Sequence, residues 1–184
     1  SIFRFPNLWW GVLALFVYVG AEVIAGDSII SSGASQSIPR SVTKYFTSST
    51  LLAMVVGYLI GVATIPKFIS QEKALYYSAI AGLFFSFLVL VTDGYRSVLF
   101  LSFLGLANAL VWPAIWPIAL AGLGRFTKLG SSLLIMSISG GAIIPLIYGK
   151  LADTFSTQQA YWILIPCYAL ILYYAVRYKQ SASN

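Results

Sequence analysis

One stretch constrains this chain more than any other. Gly105 to Gly124, reading GLANALVWPAIWPIALAGLG, is uncharged and long enough to cross a bilayer, yet it holds Asn108 and two prolines. About 20 residues rising ~1.5 Å each match a hydrocarbon core of roughly 30 Å, so such a run reads as a membrane-spanning helix. A spacing of four puts Asn108, Trp112 and Trp116 on one helix face, carrying an amide and two indole N–H groups that hydrocarbon leaves unsatisfied. That face is expected to look into protein or a wetted cavity. Pro113 and Pro117 each remove a backbone N–H, which predicts a bend near the middle of the crossing. Carbonyls freed at that depth are tolerated only where they line protein or water.

The rest of the chain has the same character. Across 184 residues, 59 % are hydrophobic and 9 % charged, with a mean hydropathy of +0.87, which points to an all-α integral membrane protein with little mass outside the bilayer. The net charge of +6 comes from single basic residues scattered along the length, a loop pattern that fixes orientation rather than a nucleic-acid footprint. With no histidine and few acids, neither a metal site nor a hydrolytic centre is expected, and no cofactor is called for. The lone Cys167 lies in an apolar run and is expected to pack as a small hydrophobe. The first apolar segment is too long for a signal-peptide core and is expected to be retained.

Six crossings account for nearly everything: residues 7–30, 45–65, 74–91, 97–120, 131–148 and 161–178. A serine-rich loop from Ser31 to Lys44 follows the first, and a basic loop with Arg125 and Lys128 follows the fourth. Six crossings put both termini on one side. Arg4, Lys67, Lys73, Arg125, Lys128, Arg177 and Lys179 fall on that side, against Arg40, Lys44, Arg96 and Lys150 opposite, so the termini are expected to be cytoplasmic. Trp9, Trp10, Tyr76, Tyr77, Tyr161, Trp162, Tyr173 and Tyr174, near helix ends, are expected to anchor at the membrane interface. Three crossings followed by three more echo the inverted repeats of transporters, without a residue-level repeat to prove it.

Glu22 is the most consequential single residue, since a carboxyl inside a crossing is costly unless it is neutral, paired or hydrated. With Tyr18 one turn earlier, it serves either as a substrate acceptor or protonatable switch, or as a helix-to-helix hydrogen bond. Asp27, nearer the outer end, is a candidate for the pathway mouth. Asn108 donates and accepts at once, as a polyol requires, and Trp112 and Trp116 offer flat apolar surfaces for a pyranose ring or simply fill the core. Gly57 and Gly61, with Tyr58 between them, form a close-packing face, as do Ser78, Gly82 and Ser86. Gly140 and Gly141, ahead of Pro145, allow either a gating bend or tight packing. Arg125 provides either orientation or a gating ion pair.

Three strings resemble a known family: YVGAE at Tyr18–Glu22, the broken GLANALVWPAIWPIALAGLG stretch, and GSSLLIMSISGGAIIPLIYGKLAD at Gly130–Asp153. Nearly the whole chain is similar to the C-terminal half of bacterial fucose and glucose/galactose symporters of the major facilitator superfamily. That resemblance implies a twelve-helix transporter of two six-helix domains around a sugar cavity, with alternating access and proton-coupled uptake in the bacterial inner membrane. It implies that Tyr18, Glu22, Asn108 and Trp112 line the cavity, and that the third and sixth crossings are peripheral. The family pattern Asn-x-x-x-Phe-Pro carries Trp112 in place of phenylalanine here, which changes the cavity shape. Expected partners are therefore a small sugar, a proton or other coupling cation, the lipid bilayer, and a missing N-terminal six-helix half or a second copy in its place. A non-transporting receptor or assembly module, or a transporter of another polar solute, stands as the alternative.

Overall fold

The computed structural model describes residues 4–27, 38–64, 71–92, 95–109 and 111–179, and all of the regular structure there is helical. α1 (Pro6–Asp27) opens on a proline, whose missing N–H costs nothing at a first helical position. The carbonyl of Phe5 accepts from the N–H groups of Leu8 and Trp9 at 3.0 and 3.4 Å. α2 (Arg40–Thr64) starts in the same manner behind Pro39, whose carbonyl accepts from Val42 at 2.9 Å and Thr43 at 3.2 Å. α3 (Gln71–Val91) makes the third crossing. The fourth is divided into α4 (Tyr95–Asn108) and α5 (Val111–Leu120). The fifth runs through a 3-10 turn at Gly124–Phe126, α6 (Thr127–Met136), a second 3-10 turn at Ser137–Ser139, and α7 (Gly140–Thr154). The sixth comprises the short α8 (Thr157–Ala160), a 3-10 turn at Tyr161–Ile163, and α9 (Leu164–Lys179).

Several helices overrun the expected limits. α2 begins at Arg40 rather than at residue 45, and the fifth crossing extends from Gly124 to Thr154 instead of 131 to 148. The reason is that hydropathy marks where the hydrocarbon ends, whereas the hydrogen-bonded helix continues into the polar zone. At 31 residues, the fifth crossing is ~46 Å long, well beyond a core of roughly 30 Å. Arg125 and Lys128, expected in a loop, therefore sit in helical turns. The connection from α5 shrinks to a tight turn at Ala121–Leu123, with Gly122 at φ 75° and Gly124 at φ 53° in the left-handed region. Residues 28–30, at the expected end of the first crossing, lie outside the described set.

α1 lies at the centre. It packs against α4, α5, α7 and α9, while α3 and α9 pair closely and α2 leans chiefly on α4. Two glycines permit these approaches. A Cβ on Gly140 would stand 2.0 Å from the carbonyl oxygen of Phe16, and one on Gly82 would stand 2.3 Å from the Tyr168 ring. α2 buries Thr43, Thr50, Met54, Gly57 and Gly61 and turns Leu51, Leu52, Val55, Leu59, Ile60 and Val62 outward. An outward face of that composition is suited to hydrocarbon or to another apolar protein surface.

Two of the expected interface anchors are internal. Tyr161 and Tyr174 are both wholly buried; the Tyr161 ring lies 5.1 Å from that of Tyr148, and the Tyr174 hydroxyl donates to the Asn7 carbonyl at 3.3 Å. α9 is a packed helix that turns Tyr174 toward the bundle, and Tyr161 is enclosed in the 3-10 turn just before it. Tyr77, Trp162 and Tyr173 remain exposed near helix ends.

Candidate functional site

The site grows from the break in the fourth crossing. A proline ring in a helix collides with the carbonyl four residues earlier, which for Pro113 belongs to Ala109. α4 ends at Asn108, Ala109 lies in a turn, and α5 starts at Val111, so Pro113 falls in the first turn of a new helix, where no N–H is needed. Pro117 stays inside α5. The expectation of one continuous face bearing Asn108, Trp112 and Trp116 is thereby corrected: the asparagine ends one helix and the tryptophans belong to the next.

At the end of α4, the Asn108 carbonyl accepts from the Tyr18 hydroxyl of α1, at 3.1 Å. The Asn108 side chain is equally enclosed: its Oδ1 accepts from the Tyr168 hydroxyl of α9, while its Nδ2 has no protein partner. Asn108, Tyr18 and Tyr168 are each 0 % exposed. Glu22 stands one turn further along α1, close enough to act electrostatically on Tyr18, as is Tyr58 of α2. Glu22 and Tyr58 are only partly buried, so this polar cluster reaches from the interior toward the surface of the chain. Four elements, α1, α2, α4 and α9, converge on the hydroxyl of Tyr18 and the amide of Asn108.

The structure thus brings Tyr18, Glu22 and Asn108 together and adds Tyr58 and Tyr168. Trp116 is half-buried against the core on α5. Trp112 occupies the first turn of α5 and Asp27 the last position of α1, and the side chains of both lie outside the described set. Gly140 and Gly141 lie against Phe16 and Val19 of α1, at the closest packing in the bundle. Arg125 is exposed beside the α5–α6 turn, its guanidinium 4.9 Å from the centre of the Phe126 ring. Among the described residues, no group of three metal-ligating side chains occurs.

Tyr58 and Tyr168 escaped sequence reasoning because a tyrosine in an apolar run looks like filler or an interface anchor. The signal that singles them out is positional, since each comes from another helix to meet the break. Asn7 was missed as well. Its Nδ2 donates to the carbonyls of Ile118, Ala119 and Ala121 at 3.2, 3.3 and 3.0 Å, closing the C-terminal end of α5.

No protein-family model matches the sequence. Individual relatives do. The chain is 34 % identical over 188 residues to a glucose/galactose transporter of Brucella abortus biovar 1 (strain 9-941), a match taking in 98 % of the chain and 44 % of the relative. It is 29 % identical over 196 residues to a putative glucose/galactose transporter of Helicobacter pylori (strain ATCC 700392 / 26695), covering 47 % of that protein. The L-fucose-proton symporter of Escherichia coli (strain K12) is 27 % identical over 185 residues, 42 % of its length. The chain therefore spans less than half the length of the curated relatives it matches. Among solved structures, the major facilitator superfamily transporter FucP in its outward conformation superposes with a TM-score of 0.91 at 24 % identity, over 97 % of this chain and 44 % of that one. The chain therefore has the fold of the corresponding half of a major facilitator superfamily transporter, and over nearly its whole length it is similar to the C-terminal half of these sugar-transporting relatives.

Proposed function

We propose that this chain supplies the C-terminal half of a secondary active transporter that carries a small monosaccharide across the bacterial inner membrane by alternating access, coupled to a proton or another cation. The observation that carries this reading is the meeting of Tyr18, Glu22 and Asn108 at the helix break, a polar cluster that a purely structural bundle in lipid has little use for. Relatives named for glucose, galactose and L-fucose transport support the sugar class. Tyr18, Glu22 and Asn108 are assigned to the substrate pathway, with Trp112 and Trp116 on α5 providing the apolar surface for the ring. Asp27 is assigned to the outer mouth, and Arg125, Gly140 and Gly141 to the parts that move when the pathway changes sides. The N-terminal six-helix half is the required partner, both termini of this segment lie on the cytoplasmic side, and the solute passes without chemical change.

The decisive experiment reconstitutes the full-length parent in liposomes and follows radiolabelled D-glucose, D-galactose and L-fucose with and without an imposed pH gradient. Saturable uptake of at least one sugar is expected, with accumulation when the gradient is present. Absence of saturable uptake for all three sinks the assignment.

A further inference from the structure

The start of α1, the α5–α6 turn and the end of α9 meet at one end of the bundle. Asn7 joins them: its Nδ2 donates to the carbonyls that close α5, and its own carbonyl accepts from the Tyr174 hydroxyl of α9. Residues 4–11, 121–128 and 173–179 bring Arg4, Arg125, Lys128, Arg177 and Lys179 to this end, and no acid. α1 and α7 run parallel, with Phe16 beside Gly140 and Gly20 beside Ile144, so Asp27 and Asp153 belong to the other end. Five like charges repel one another, and a bound anion relieves that repulsion.

Arg177 is held in a fixed direction. Its Nη1 donates to the Tyr173 hydroxyl at 2.6 Å, and its guanidinium carbon stands 5.9 Å from the centre of the Trp10 ring and 5.9 Å from that of Tyr173. The two rings meet edge to face at 5.3 Å, which ties α1 to α9 beneath the charge. Ordering a guanidinium costs side-chain entropy, but these rings and this hydroxyl already hold it ordered, so little is left to lose on binding. The side chain is nonetheless exposed. A planar, always charged fork in a set direction suits paired phosphate oxygens, whereas a lysine offers only a point charge. What adjoins it is apolar: Leu13, one turn deeper on α1 than Trp10, is 44 % exposed, and Val176 is 46 % exposed. A free phosphate has no use for that strip, and an acyl chain does.

We propose that the end of the bundle built by Trp10, Tyr173 and Arg177 binds an anionic phospholipid, with its phosphodiester on Arg177 and an acyl chain along Leu13 and Val176. The remaining cations attract its negative charge without setting the position of the headgroup. Trp10 lies about two turns of α1 before Tyr18, so the lipid site is separate from the polar cluster and does not depend on the transport reading.

The test titrates the purified full-length parent in detergent with dioleoyl phosphatidylglycerol, with dioleoyl phosphatidylcholine, which has the same chains, and with inorganic phosphate, and follows the melting temperature. Phosphatidylglycerol is expected to raise it at lower concentration than phosphatidylcholine does, and inorganic phosphate is expected to leave it unchanged. R177Q is expected to increase the half-effective concentration of phosphatidylglycerol about fivefold or more. R177K, which keeps the charge and loses the fork, is expected to increase it about twofold or more. R96Q, at the start of α4 and so at the opposite end of the fourth crossing, is expected to match the wild type. Equal responses to the two lipids overturn the site, as do equal losses in R177Q and R96Q. Protection by inorganic phosphate equal to that by phosphatidylglycerol makes the ligand a free anion and overturns the lipid. Should R177Q not survive purification, R177K is compared with R96K: a loss confined to R177K supports the site, and equal values overturn it.

Discussion

Asn108 is held at two points of contact and leaves its amide NH2 over. Its carbonyl takes the Tyr18 proton, its Oδ1 takes the Tyr168 proton, and its Nδ2 has no protein partner. A buried donor without a partner is costly in a static bundle. Removing either side of the Asn108–Tyr168 pair strands the other, so N108A and Y168F are each expected to destabilise the parent by roughly 1–3 kcal/mol. The double variant is expected to cost less than the sum of the two, with a coupling of about 1 kcal/mol, typical of interhelical hydrogen bonds within membranes. Thermal denaturation in detergent reads this directly, and strict additivity would show that the two side chains do not act as a pair. The contact of Tyr18 with Glu22 was legible beforehand, because residues four apart on one helix meet whatever the tertiary structure does. The Tyr168 contact was not. It depends on the rotation of α9 against α3, which packing decides and spacing alone does not reveal.

At the scale of elements, the close approach of α1 and α7 carries the argument. The sequence left Gly140 open between a gating bend and tight packing, and the structure puts the Phe16 carbonyl where a Cβ would be, at 2.0 Å. An alanine there meets backbone rather than the end of a flexible side chain, so α1 must move. G140A is expected to lower stability by about 1–3 kcal/mol and to shift the pair apart. G149A is the matched control on the same helix, since nothing lies within 4 Å of a Cβ at that position, and it is expected to be neutral or slightly stabilising. Equal melting temperatures for the two variants would remove α1–α7 proximity as an explanation for Gly140. Helix count and order were legible because ~20-residue apolar runs record bilayer thickness. Helix ends were not, because helix-compatible polar residues such as Arg40, Ser41 and Lys150 carry the hydrogen-bond ladder past the hydrocarbon boundary. The exact break was half legible: the two prolines announced it, but only the carbonyl collision places it at Ala109 rather than at Pro113 itself.

For the whole molecule, the argument turns on what covers the outward apolar faces. Leu51, Leu52, Val55, Leu59, Ile60 and Val62 on α2, and Ile143, Leu146 and Ile147 on α7, are exposed on the chain alone. In the transporter proposed above, a second six-helix domain resting on one of these faces would enclose the polar cluster, lipid would cover the other, and the cluster would open to one side of the membrane at a time as the domains rock. Expressed alone, residues 1–184 are expected to insert in the membrane with Arg125 and Lys128 on the cytoplasmic side, yet to accumulate no sugar. On the proposed function, co-expression with the N-terminal half of the parent as a separate chain is expected to restore saturable uptake, since two such halves would meet through their surfaces. Single-cysteine labelling at position 125, on a Cys167→Ser background, checks orientation in the same cells. Accumulation by the lone chain would show that a second copy serves as the missing wall; labelling from the outside would reverse the membrane orientation without altering the fold.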